Sequence, residues 1–111
     1  MLVHDIVQRL VALRYVDDAR LAMDTAESAA RRGHGSEYVR AALGAKGVAD
    51  SLIEAGIDHA LADEVSVARR VMAQRYAVPP CLPAERAKAA RFLLQRGFPE
   101  SVVLAILGEG C

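Results

Sequence analysis

The 111-residue chain has no tryptophan, two phenylalanines and three tyrosines, so its interior must be built from aliphatic residues and alanine. Its two cysteines, Cys81 and Cys111, are too few for a disulfide framework, and free thiols in a reducing compartment are expected. They show no metal-ligand spacing with His4, His34 or His59, so neither a metal nor a cofactor is expected. The longest strictly apolar run is Val102 to Leu107, far short of the roughly 20 residues that span a bilayer. His4, Asp5 and Arg9 interrupt the apolar N-terminus where a signal peptide would stay apolar. A chain without membrane contact, in the cytoplasm, is expected. The formal charge is zero, which together with 53% apolar residues excludes a disordered polymer.

What is present is helical periodicity almost everywhere. Ile6, Val7, Leu10 and Val11 form one stripe, and Leu21, Ala22, Thr25, Ala26 and Ala29 a second. Leu52, Ile53, Ile57, Ala60 and Leu61 form another, as do Val67, Ala68, Val71, Met72 and Tyr76. No segment alternates at period two for long enough to make a sheet. The spacing predicts an opening helix over 2–13. Asp17 and Asp18 are suited to cap a second helix running to Arg31, and Gly33-His34-Gly35 to stop it. Ser36 is suited to cap a short helix ending at Lys46-Gly47, and further helices are expected over 50–61, 63–76, 84–96 and from Pro99 to just before Gly108. The three prolines at positions 79, 80 and 83 forbid continuous helix over 77–83, between the expected helices 63–76 and 84–96.

The helices recur as a set. Gly47-Val48-Ala49-Asp50-Ser51-Leu52-Ile53 aligns with Gly97-Phe98-Pro99-Glu100-Ser101-Val102-Val103, Leu43 falls on Leu93, and Asp17-Asp18 falls on Asp63-Glu64. The expected fold class is all-α, with tandem three-helix repeats in an elongated, curved array. Residues 1–14 would be the last helix of an incomplete first repeat, 15–62 a second repeat and 63–111 a third. Tyr15 is expected to anchor a core between units.

The zero net charge hides an asymmetry. Residues 1–63 hold seven basic and ten acidic side chains, and residues 64–111 seven and four. Arg31, Arg32, Arg40 and Lys46 make one basic cluster, and Lys88, Arg91 and Arg96 lie in a second. Like charges at equivalent repeat positions would build a basic stripe for phosphates or an acidic protein surface, although any one of these cations also fits an ordinary solvated face. No nucleophile elbow, phosphate-binding loop or dinucleotide fingerprint is present, so an enzyme is not expected. His34 reads as an exposed loop histidine, and Asp17-Asp18 as caps rather than paired acids.

Tyr15-Val16-Asp17-Asp18-Ala19-Arg20-Leu21-Ala22 resembles the G/R-Y-hydrophobic-D-D-x-R-F-A signature of the RecX family, the regulators of the RecA recombinase. Arg32-Gly33-His34-Gly35 followed by Val39, Leu43 and Lys46-Gly47-Val48 is similar to that family's second repeat, and Lys88 to Phe98 to its third-repeat motif. The resemblance runs from Ile6 to Leu107. It implies three tandem three-helix repeats, binding to RecA and its filament on single-stranded DNA, and inhibition of filament extension, ATPase, coprotease and strand exchange. It also implies that single- or double-stranded DNA is a further partner. Arg31, Arg32, Arg40, Lys46, Lys88, Arg91 and Arg96 are the candidate contacts. The alternatives are a direct nucleic-acid-binding helical module and a helical scaffold for another partner. The chain starts at the last helix of the family's first repeat, which suggests either a late start at Met1 or a truncation. An uncovered apolar stripe on that helix would favour self-association. Ser36-Glu37-Tyr38 lacks the proline and basic character usual there, which argues against DNA contact at that point. Thr25 stands for a bulkier core residue and predicts a looser second unit.

Overall fold

The computed structural model describes residues 2–108, so Met1 and Cys111 lie outside the described residues. Six helices follow one another: α1 (Leu2–Arg32), α2 (Ser36–Ala45), α3 (Asp50–Ala60), α4 (Glu64–Arg75), α5 (Pro83–Gln95) and α6 (Glu100–Leu107). No strand occurs among the described residues. The molecule is a rod of 68 × 18 × 17 Å with a radius of gyration of 18.0 Å, against about 13 Å for a compact domain of this length.

Two separate cores explain that shape. The C-terminal half of α1 packs with α2 and α3 around Ala22, Ala26, Val39, Leu43, Val48, Leu52 and Ile53. Helices α4, α5 and α6 pack around Ala68, Met72, Ala89, Leu93, Phe98, Val102 and Val103. The buried set repeats. Val39, Leu43, Val48, Leu52 and Ile53 each have a buried counterpart fifty positions later, and Ala22 and Ala26 have theirs at Ala68 and Met72. The close crossing of α1 and α3 requires small residues. A Cβ added at Gly56 would stand 2.7 Å from the Ala22 carbonyl oxygen.

The main departure from expectation is α1. Two helices were expected, with Asp17-Asp18 capping the second, yet one 31-residue helix passes through both aspartates. Nothing between Leu13 and Ala19 breaks a helix, and Asp18 instead pairs with Arg14 one turn back, at 4.0 Å. Asp63, by contrast, does cap. Its carboxylate accepts from the Ser66 amide at 3.3 Å and from the Ser66 hydroxyl at 2.7 Å, because the chain leaves α3 at the buried Leu61 before it reaches Asp63. Tyr15 is not a core anchor but 61% exposed. Ser36 is the first residue of α2 rather than its cap, which is Gly35. Pro83 takes the first turn of α5, where its missing N–H costs nothing. Cys81 lies exposed in the loop between α4 and α5. Thr25 is half-buried and borders a shallow hollow of about 220 Å³ with Asp24, Ser28 and Tyr38.

Candidate partner-binding face and the joint beneath it

A helix leaves four N–H groups unpaired at its start and four carbonyls at its end. Where α1 ends and α2 begins, the unit formed by α4, α5 and α6 supplies many of the missing partners. The Gly35 amide donates to the Arg96 carbonyl at 3.0 Å, and the Glu37 amide to the Gly97 carbonyl at 2.8 Å. Between them the buried Ser36 donates its amide to one Glu64 carboxylate oxygen and its hydroxyl to the other, the latter at 3.0 Å. At the end of α1, Arg70 donates to the Ala30 carbonyl, and Arg96 to the Arg32 carbonyl at 3.1 Å. An acid therefore faces a helix N-terminus and two cations face a helix C-terminus, the favourable sense of the helix dipole at both ends.

Glycine makes this joint possible. Gly33 ends α1 at φ 77° with the Val71 side chain against it, and Gly97 ends the α5 segment at φ 89° against Tyr38. A Cβ at Gly35 would stand 2.5 Å from the Gly97 carbonyl oxygen. The Gly33-His34-Gly35 run is thus a helix stop, as expected, and also the contact surface between the units. His34 is not an exposed loop side chain. It is half-buried, its ring stacks on Tyr38 at 4.2 Å, and its Nδ1 is enclosed without a hydrogen-bond partner.

The joint gathers some of the candidate cations and not others. Arg31 and Arg32 lie exposed in the last turn of α1, and Arg96 crosses to them from the end of α5. Arg70 joins this group, and Arg75 lies over the Phe92 ring at 4.7 Å with Arg96 at 5.3 Å from the same ring. Cation–π and carbonyl contacts hold these guanidinium groups without cancelling their charge. Lys88 and Arg91 are exposed on α5, the helix that ends at Arg96. Lys46 stands at the far end of α2, about 15 Å of helix from the joint.

Arg40 behaves differently. Its guanidinium makes two bonds to Glu54, both at 2.9 Å, a third to Glu37 at 2.7 Å and a fourth to the Ser36 hydroxyl at 3.3 Å. The hydrogen bond from Arg40 holds the Glu54 carboxyl below its ordinary range, and the same bond raises Arg40 further above its own. With two acids on one cation, this site is net negative. The expected stripe of equivalent cations therefore reduces to one pair. Lys46 and Arg96 both cap the C-termini of their short helices, whereas the positions fifty residues before Lys88 and Arg91 hold Tyr38 and Ala41. The sequence reading missed Arg70, Arg75 and Glu64. The run of basic residues from Arg69 onward was the available signal for the first two. For Glu64 there was none, since an acid at the start of a helix reads as serving its own N-terminus.

Comparison with known proteins bears on this arrangement. A family model described as the second three-helix domain of RecX matches residues 17–57, and one described as the third matches residues 62–107. The chain belongs to the RecX family. Among curated relatives, "Regulatory protein RecX" of Chromohalobacter salexigens is 40% identical over 81 residues, covering 73% of this chain and 53% of that protein. The RecX of Yersinia enterocolitica is 28% identical over 109 residues, covering 94% of this chain and 65% of its own, and that of Escherichia coli strain SE11 is 32% identical over 85, covering 76% and 51%. The chain thus spans between half and two-thirds of these RecX proteins. The joint described above falls between the two matched RecX domains.

Proposed function

We propose that this chain is a negative regulator of RecA. It binds RecA and its nucleoprotein filament on single-stranded DNA, in the cytoplasm, and inhibits filament extension, ATPase, coprotease and strand exchange. Its parts are the three expected from sequence: 1–14 from a first repeat, 15–62 the second and 63–111 the third. The observation that supports this reading is the cluster of Arg31, Arg32, Arg70, Arg75 and Arg96, continued by Lys88 and Arg91 on α5, on a hydrogen-bonded rod 68 Å long. A long helical array carrying a fixed patch of positive charge fits a groove lined by acidic protein surface or by DNA phosphate. No step of this action requires covalent chemistry by the chain.

The test is RecA's DNA-dependent ATPase with and without the protein. Inhibition is expected, and its weakening about tenfold or more by the double variant Lys88→Glu/Arg91→Glu, with helicity by circular dichroism unchanged. Arg40→Gln should leave inhibition nearly intact, because its charge is already matched by Glu37 and Glu54. No effect on RecA at any ratio would remove the reading.

Direct nucleic-acid binding is the second reading. It is favoured by Arg70 and Arg96, whose hydrogen bonds go to neutral carbonyls and leave their charge available to phosphate. Its mark would be DNA affinity without RecA that falls steeply with salt, and that Arg31→Glu/Arg32→Glu reduces.

A further inference from the structure

A crevice of about 490 Å³ opens inside the unit of α4, α5 and α6, and none of the residues that build the joint lines it. Met72 and Pro80, both buried, form its floor, and the half-buried Tyr76, Ile106 and Leu107 its walls. The unit of α1, α2 and α3 is closed at the corresponding place. There Ala26 is fully buried, and Gly56 brings α3 against the Ala22 backbone. In the later unit Met72 stands where Ala26 does, and Ile106 where Gly56 does. These larger side chains keep α6 from closing on α4 in the same way, and an open apolar seam remains between the two helices. Pro79 and Pro80 border it and fix their own φ angles. That wall is therefore set in advance, and little order is lost when something binds.

Charge selects the occupant. No acid occurs among the described residues that line the crevice, whereas Arg69 and Arg86 both line it. Arg86 makes no ion pair with a described carboxylate. A second hollow of about 390 Å³ shares Tyr76 and Pro80 with the first, and it adds Arg75 and Lys88 against one acid, Glu85. On α6, Leu104 stands one turn before Leu107 and is 61% exposed, so apolar surface continues past the crevice. An apolar seat with positive charge beside it and an apolar track leading away suits an extended partner better than a small molecule.

We infer that the crevice is a docking site for an acidic protein segment. The segment inserts one large apolar side chain, leucine or phenylalanine, between Met72 and Ile106. Its flanking carboxylates meet Arg86 on one side of the proline loop and Lys88 on the other. A basic segment would set like charges together, and a nucleic-acid strand brings no aliphatic chain to cover Met72 and Ile106. The site is separate from the arginine cluster at the joint. The inference does not rest on the reading of the chain as a RecA regulator, and its test contains no RecA.

Titration of the intact chain with the labelled peptide acetyl-Asp-Glu-Leu-Phe-Glu-Asp-amide, read by fluorescence anisotropy and methyl NMR, tests it. Saturable binding with a Kd between about 1 μM and about 1 mM is expected, with shifts in the Met72 and Ile106 methyl signals. Replacing the peptide's Leu-Phe by Ser-Ser should weaken binding about tenfold or more, since a buried apolar anchor is lost. Ala73→Trp, at an exposed position bordering the crevice, should fill it and weaken binding to a similar degree with helicity kept. Arg86→Glu should weaken binding about fivefold and Arg86→Lys far less. Arg31→Glu/Arg32→Glu, at the joint, should leave it unchanged. The proposal is overturned by the absence of saturable binding at about 1 mM peptide, or by equal affinity for acetyl-Lys-Lys-Leu-Phe-Lys-Lys-amide. Binding that survives Ala73→Trp but not Arg31→Glu/Arg32→Glu overturns it as well. Met72 and Ile106 signals that shift with protein concentration alone would assign the seam to a second copy of the chain, and displacement of the peptide from them by a short oligothymidylate would assign it to nucleic acid. Either result overturns the acidic segment.

Discussion

Two glycines in the same short stretch of chain have opposite requirements. At Gly35 a methyl group would run into backbone of the other unit, at the Gly97 carbonyl, which cannot move aside as a side chain can. Gly35→Ala is expected to destabilise by about 1–3 kcal/mol. Gly44, near the end of α2, has nothing within 4 Å of an added Cβ, so Gly44→Ala should stabilise by about 0.5–1 kcal/mol through helix propensity. Urea denaturation of the two variants measures both signs. Glu54 and Asp63 each add a small contribution to stability that is lost in acid. Hydrogen bonds from Arg40 and from Ser66 lower their pKa values below the ordinary 4.5 and 3.8. A carboxylate lowered by folding contributes fully above its unfolded pKa, and that contribution fades as pH falls through the folded one. Stability should therefore be level in these groups above about pH 5.5 and decline below about 4.5, with a shallower decline in Glu54→Gln, as read from melting temperature against pH.

At the scale of elements, α1 is one helix with two environments. Its C-terminal half is held by α3 through Ala22, Ala26 and Gly56 and by the Glu27–His59 contact at 2.8 Å. Its N-terminal half touches no other helix core, and an isolated helix of that length is marginal in water. Amide hydrogen exchange on dilute protein should show residues 4–13 exchanging at least a hundredfold faster than residues 22–30, with no step at Asp17-Asp18. A sharp step there would mean that the aspartates cap a helix after all. Continuity at this point also shows how far the repeat carries. Asp17 and Asp63 occupy equivalent positions, but only Asp63 follows the end of a helix and starts a new one, so only Asp63 has free amides to cap.

The rod as a whole depends on the joint. Repeat proteins gain stability from each unit and from each interface between neighbours. Here the interface is polar, with Glu64 holding the start of α2 and Arg70 and Arg96 the end of α1. Glu64→Ala leaves the buried Ser36 amide unpaired, at a cost of about 1–3 kcal/mol. That loss should fall on the coupling between units. The parent is expected to unfold in one transition by fluorescence and circular dichroism alike, and Glu64→Ala to broaden or split it. The same variant should blunt the proposed inhibition of RecA even though Glu64 need not touch a partner, because the angle between the cations of α1 and those of α5 would no longer be fixed.

The helices, their order and the fifty-residue echo of the buried positions were legible in the chain, because apolar spacing and glycine–proline punctuation are local signals and each unit closes around its own core. The family motifs were legible for the same reason. Less visible was what the motif residues do. Gly33, Gly35 and Gly97 announce helix ends in any context, but their approach to Val71, the Gly97 carbonyl and Tyr38 exists only once two units are stacked. The positive residues illustrate the point most directly. Counting charges placed Arg40 among the contacts, yet its field is cancelled by Glu54, an acid fourteen residues away that only folding brings near. Composition and periodicity settle which faces are apolar, since burial of those faces drives folding whatever the partner. Which cations stay uncompensated, and whether two rods of helices hold one angle, depends on contacts between residues remote in sequence, and no local pattern encodes those.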